Sequence, residues 1–323
     1  MVTTYVSEDV TYENPASHLT LAGTLTLPES PGPHPAVVLI SGSGAQDRDS
    51  TIFGHRPFAV IADHLSRRGI AVLRVDDRGV GGSDRGPDDV TSEDFATDVE
   101  AGVHYLRSRP EVDPKRVGLV GHSEGGLIAP MVAAKDPELA AIVLLAGPGV
   151  SGKELLVSQS RAILQAKGMP EETVAGAVAQ QEEVMTVVAA STSVEEAREG
   201  VLAIVGDNPM TRPAIEAQII PWLVYFVKHD PAEDLRQVHC PVLALNGSLD
   251  TQVLAAENLP AIEAALHEAG NPDVTTERLE GLNHLFQPAK TGDVSEYEAS
   301  EVTFDAAALQ RMGDWLTARL LEE

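Results

Sequence analysis

Ser123 has both the residue type and the setting for nucleophilic chemistry. It sits in Gly121-His122-Ser123-Glu124-Gly125, directly after the apolar run Val117-Gly118-Leu119-Val120. A Gly-x-Ser-x-Gly turn between a strand and a helix exposes one serine hydroxyl where a base can reach it. Such a pentapeptide arises by chance in roughly one chain in eight of this length and composition, so other residues must support it. A serine hydroxyl is a poor nucleophile at its free pKa; it needs a general base, and the base needs an acid that orients it. Of the ten histidines, His229, His239, His267 and His284 follow the elbow. His229 lies in the stretch between the two halves of the strand pattern, about 150–236, His239 precedes a strand, and His267 falls in a helical pattern. His284 follows the last predicted strand in Gly281-Leu282-Asn283-His284 and is the candidate base. Asp250 closes Asn246-Gly247-Ser248-Leu249-Asp250 after the preceding strand and is the candidate acid. Read singly, Asp250 is as well explained as a turn former and His284 as a loop histidine. Together, in the order Ser, Asp, His and each at a strand end, they point to acyl transfer.

The tetrahedral intermediate of that chemistry needs backbone N–H donors for its oxyanion. Glu124, next after the nucleophile, supplies one. Ser43 and Gly44, in the loop Ser41-Gly42-Ser43-Gly44-Ala45-Gln46-Asp47-Arg48-Asp49, are the candidates for the other. Trp222, Tyr225 and Phe226 are either helix packing or, where that region covers the site, the apolar wall of a substrate pocket. Gly79-Val80-Gly81-Gly82 lacks the third glycine of a dinucleotide fingerprint, and no phosphate-binding Gly-x-x-x-x-Gly-Lys-Ser/Thr occurs. The single cysteine, Cys240, excludes an internal disulfide and a cysteine metal cluster, and its place before Pro241 suits a small buried side chain. No metal and no cofactor are expected.

These groups must be held by a sheet. Residues 2–27 alternate like a half-buried strand and suggest an antiparallel start. Ala36–Ile40, Ile70–Val75, Val117–Val120 and Ala141–Ala146 are apolar runs typical of strands covered on both faces, separated by helical stretches at about 57–68 and from Thr91 or Ser92 to Pro110. Helices alone are predicted at about 153–166, 171–190, 194–205 and 214–227, after which strands at 241–245 and 274–279 and helices at 254–269 and the C-terminus resume the pattern. The expected organisation is an α/β core, residues 1–150 and 236–323, with a mostly parallel sheet, and an inserted helical cap, 151–235, over the strand ends where such sheets bind ligands.

A net charge of −26, from 49 acidic and 23 basic residues, repels nucleic acid and anionic lipid. No basic segment followed by an apolar core opens the sequence, and the longest strongly apolar stretch, 219–227, is less than half of the roughly 20 residues a membrane helix needs. A cytoplasmic protein acting on a small molecule, without nucleic acid or membrane partners, is the expectation; a homodimer is left open.

Five stretches resemble the α/β-hydrolase superfamily, specifically bacterial carboxylesterases and related serine hydrolases with a helical cap: Ser41 to Asp49, Asp77-Arg78-Gly79-Val80-Gly81-Gly82-Ser83, Gly121 to Gly126, Gly247-Ser248-Leu249-Asp250 and Gly281-Leu282-Asn283-His284. They span nearly the whole core. The resemblance implies an α/β-hydrolase fold and hydrolysis of carboxylic esters through an acyl-enzyme, with Ser123 attacking, His284 moving the proton and Asp250 holding its tautomer. The first stretch departs from the His-Gly motif common in the superfamily, so the second oxyanion donor is not assigned by it. Few bulky aromatics in the insertion suggest short to medium acyl chains. An aminopeptidase or amidase is the alternative, and a binding protein that lost the chemistry is a further one.

Overall fold

The computed structural model describes residues 4–321. Its strands are β1 (Tyr5–Asn14), β2 (Leu19–Pro28), β3 (His34–Ile40), β4 (Ala71–Val75), β5 (Val112–His122), β6 (Ile142–Leu145), β7 (Val242–Gly247) and β8 (Val274–Leu279). They form one sheet in the order β1-β2-β4-β3-β5-β6-β7-β8. β2 is antiparallel to β1 and to β4, and the remaining pairings are parallel. This is the α/β-hydrolase arrangement expected, a mostly parallel sheet with an antiparallel start. The chain leaves β3 toward β4 and then crosses back to β5, so the crevice of the sheet opens at the C-terminal ends of β3 and β5.

Helices α1 (Pro57–Ser66), α2 (Ser92–Ser108) and α3 (Glu124–Ala133) alternate with these strands. Six more lie between β6 and β7: α4 (Gly152–Ala166), α5 (Glu171–Ala190), α6 (Val194–Val205), α7 (Thr211–Gln218), α8 (Pro221–Lys228) and α9 (Pro231–Leu235). The chain closes with α10 (Ala255–Glu268), α11 (Ser295–Ala299) and α12 (Ala306–Leu320). Phe58, Ile61 and Leu65 of α1 pack with Met312, Trp315 and Leu316 of α12 on one face of the sheet. Val99 and Val103 of α2, Leu127 and Ile128 of α3 and Ile262 of α10 cover the other. That double cover explains why Ala36–Ile40 is apolar at every position. The inserted helices have a cluster of their own around Met185, Val188, Val201, Val224 and Val227.

Several local expectations shift. Residues 214–227 are not one helix: α7 ends at Gln218, and Pro221, which lacks an N–H, starts α8 at its first turn. α9 and α11 are too short for a periodicity to announce them. β5 begins at Val112 rather than Val117, because it pairs with β3 before the apolar run begins. Cys240 is half-buried rather than buried, and burial pushes its thiol up to about 12. β2 is not half-exposed. Thr24 and Thr26 are buried with the leucines beside them; Thr26 is satisfied there because Ser66 Oγ donates to its Oγ1 at 2.7 Å and Thr26 Oγ1 donates to the Val72 carbonyl at 3.3 Å.

That buried relay makes a stability prediction. Thr26→Val leaves the Ser66 hydroxyl without its acceptor and is expected to cost about 1–3 kcal/mol, and Ser66→Ala about 1 kcal/mol. The double variant should cost clearly less than the sum, as read from urea unfolding; additive penalties would show that the two hydroxyls are not coupled.

Candidate active site

Ser123 follows β5 with φ 55° and ψ −119°, a left-handed backbone that costs a non-glycine residue on the order of 1–3 kcal/mol. Its N–H donates to the Leu145 carbonyl at 2.9 Å, and Gly126 N–H donates to its own carbonyl at 2.8 Å. The turn is tight enough to require glycine on either side. A Cβ at 121 would stand 2.0 Å from the Gly125 oxygen, and one at 125 would stand 2.2 Å from the Ile40 oxygen. α3 is buried along its entire length. The N–H of Glu124, the first residue of α3, therefore starts a helix and has no carbonyl one turn back.

Asp250 and His284 meet as the strand order predicts. His284 Nδ1 and Asp250 Oδ2 are 2.8 Å apart, and both side chains are buried. The other carboxylate oxygen of Asp250 accepts the N–H groups of Gln252 at 2.8 Å and Val253 at 2.9 Å, which fixes its plane. The His284 loop is built by Asn283, whose side-chain oxygen accepts from Leu285 N at 3.0 Å and Gln287 N at 2.9 Å. His122 adds a support that the spacing of residues did not announce. Its Nε2 lies 2.9 Å from the His284 carbonyl, and burial lowers its pKa to about 4. The ring is therefore neutral, and since a carbonyl only accepts, the proton sits on Nε2.

Ser123 and His284 line one cavity of about 270 Å³, together with Gly42, Ser43, Trp222 and Phe226. Of the two candidate oxyanion donors in the loop after β3, Ser43 borders this cavity, whereas Gly44 faces a neighbouring cleft. Gly42, not among the expected donors, also stands beside Ser123: a Cβ there would lie 3.1 Å from Ser123 Cβ and 3.6 Å from its Oγ. Trp222 and Phe226 stack at 5.2 Å and reach the cavity. Tyr225 does not; Trp222 and Phe226, one turn apart, share a face of α8, and Tyr225, one residue from Phe226, is turned about 100° away and stacks on His229 at 5.4 Å. Glu124 ties core to insertion, its Oε1 accepting from Ser92 Oγ at 2.6 Å and from Trp222 Nε1 at 2.7 Å.

The family described as "Serine aminopeptidase, S33" matches residues 55–287, which carry Ser123, Asp250 and His284. The chain belongs to this family. It is an α/β-hydrolase enzyme. Esterase EstD of Thermotoga maritima is 36% identical over 151 residues, covering 46% of this chain and 35% of that protein. Esterase FrsA of Vibrio vulnificus is 32% identical over 125 residues, covering 38% and 28%. The matched stretch thus spans about a third of the length of these curated relatives. Among solved structures, an esterase of Pyrococcus furiosus superposes with a TM-score of 0.62 at 18% identity over 98% of this chain and 92% of the other. A puromycin-hydrolyzing peptidase of Mycobacterium tuberculosis does so at 0.57 and 16%, over 99% of this chain and 40% of the other. At such identities these two establish the fold. Among the described residues no helix is long and apolar enough to cross a membrane.

In this hydrolase the loop after β3 is held from behind. Asp77 accepts Ser41 Oγ at 2.8 Å on one oxygen and Gln46 N–H at 2.9 Å on the other, so a single carboxyl pins both ends of the segment that carries Gly42 and Ser43. Burial pushes its pKa up to about 7 against the pull of those two hydrogen bonds, with the negative charges of Glu124 and Asp98 adding to the rise. The folded protein then keeps, between pH 3.8 and about 7, a proton that the unfolded chain has released. Fewer protons bound in the unfolded state means stability falls as pH rises through that window. Asp77→Asn lacks this titration, so the stability of the wild type relative to the variant should decline from pH 4.5 to pH 7.5. Urea midpoints measured across that range check it, and a constant difference would rule the titration out.

Proposed function

We propose that the protein is a serine carboxylesterase that hydrolyses short- to medium-chain carboxylic esters through an acyl-enzyme. The observation that carries this reading is the buried Asp250–His284 pair, whose histidine lines the same cavity as Ser123 of the strained elbow. Asp250 holds the Nδ1–H tautomer of His284, which leaves Nε2 as the base. Ser123 Oγ attacks the ester carbonyl as its proton passes to Nε2, and the oxyanion forms against backbone N–H groups of Glu124 and Ser43. The imidazolium, stabilised by the Asp250 carboxylate, returns the proton to the departing alcohol oxygen. Water then repeats the attack on the acyl-serine, losing its proton to Nε2, and Ser123 recovers its own as the acid leaves. Apart from the ester and the water, the chain's own groups supply these steps.

The division into a core, 1–150 and 236–323, and a helical cap, 151–235, belongs to the same reading. It is supported by the separate apolar cluster of the inserted helices and by Trp222 and Phe226 reaching the cavity from α8. Trp222 and Phe226 form the acyl-facing wall. The esterase names of the two curated relatives support an ester substrate. One observation favours a second reading, amide hydrolysis of an amino-terminal residue: the Glu124 carboxylate borders the cavity and offers an anionic contact for an ammonium group.

Ser123→Ala is expected to lose on the order of 10⁶-fold in turnover of 4-nitrophenyl butanoate and to lose labelling by a fluorophosphonate probe. Wild-type-like turnover by the variant would sink the acyl-enzyme. Comparing that ester with an aminoacyl 4-nitroanilide decides the second reading: a higher kcat/KM on the anilide replaces the esterase with an aminopeptidase. Rates across esters of increasing acyl length should peak in the short to medium range, and a maximum on long-chain emulsions contradicts the assigned substrate class.

A further inference from the structure

The cavity of Ser123 has a larger neighbour. A cleft of about 690 Å³ lies between the loop after β4 and the start of α8. Its apolar lining includes Val90, Phe95 and Ile220, and its floor is the outer side of the loop after β3. Two residues, Ser43 and Trp222, line both spaces and so stand in the partition between them. The indole is fixed there twice, by stacking on Phe226 and by its N–H on Glu124. The cations on the cleft wall are paired: Arg78 with Asp98 at 2.6 Å, and Arg85 with Asp88, an exposed pair on the cleft's own rim, at 2.9 Å.

On the reading of the site as an esterase, the direction of a bound ester follows from proton transfer. The departing oxygen must lie within hydrogen-bond reach of His284, the group that protonates it. The acyl chain extends from the opposite side of the carbonyl carbon. His284 does not border the cleft, whereas Ser43 does. We infer that the cleft is an extension of the acyl site that the Trp222 indole closes off, so that this one side chain sets the upper limit of acyl length.

The limit is set by shape and by anchoring. A planar indole held at both its face and its N–H cannot turn aside without leaving the Glu124 carboxylate short of a donor in a buried position. Removing the indole joins the two spaces, and every further methylene that enters the cleft leaves water for an apolar wall.

The test compares kcat/KM on 4-nitrophenyl decanoate and 4-nitrophenyl butanoate. In Trp222→Ala the decanoate to butanoate ratio should rise by about tenfold or more over the wild type. Refilling the cleft from its far wall, in Trp222→Ala combined with Val90→Trp, should return the ratio toward the wild-type value. Trp222→Leu, which keeps an apolar contact for Phe226, carries the same expectation with a smaller rise and serves should the alanine variant fail to fold. An unchanged ratio in the folded single variants overturns the inference, as does a rise that survives Val90→Trp. Those outcomes leave the esterase reading standing; a wild-type protein that turns over neither ester overturns both.

Discussion

The closest approach of backbone to backbone in the site lies where α3 begins. The Gly125 oxygen occupies the place of any side chain at position 121, and the Ile40 oxygen that of any side chain at 125. This contact presses α3 against the ends of β3 and β5, the parallel neighbours at which the order of the strands along the chain reverses. From it follow the left-handed backbone of Ser123, the unpaired N–H at the start of α3, and the nearness of Gly42 to the hydroxyl. A sheet packed with Val, Leu and Ile on both faces keeps that contact closed, because backbone strain of this size persists only where the surroundings over-determine it.

The parts of this molecule that were legible in the sequence are those whose signal is local or ordinal. The helices at 171–190 and 194–205 and the strand at 274–279 fall where their periodicity places them. Asp250 and His284 were found by position at strand ends, and the structure brings them to 2.8 Å. What escaped depends on contacts between distant residues. The burial of Thr26 needs Ser66, forty residues on, and the role of Ser92 needs Glu124. Choosing between Ser43 and Gly44, or between Trp222 and Tyr225, requires knowing which side of a loop or a helix faces the cavity, and residue type is silent on that. The break at Pro221 was the exception. Proline's missing N–H is a local signal, and the apolar run across it outweighed it.

Three ionisable side chains next to the elbow, Glu124 buried and His122 and Asp77 half-buried, have different tasks. His122 stays neutral and donates to the His284 loop; Asp77, with a raised pKa, braces the loop after β3; Glu124 collects a hydroxyl and an indole. None is at the surface, where solvent would level their differences, and each is held by partners from a separate element. The support behind the candidate triad is thus polar and specific, while the sheet beneath it is apolar and general.

Residue 124 belongs to two systems at once. Its peptide opens α3 beside Ser123, and its carboxylate grips α8 through an indole. On the proposed reading, turnover and selectivity are joined through this single position. Grafting the inserted helices onto a related core treats the two parts as interchangeable modules, and here the seam runs through a hydrogen bond: a foreign insertion without an indole opposite position 124 would leave that carboxylate, one residue from Ser123, with the Ser92 hydroxyl and without its donor from α8.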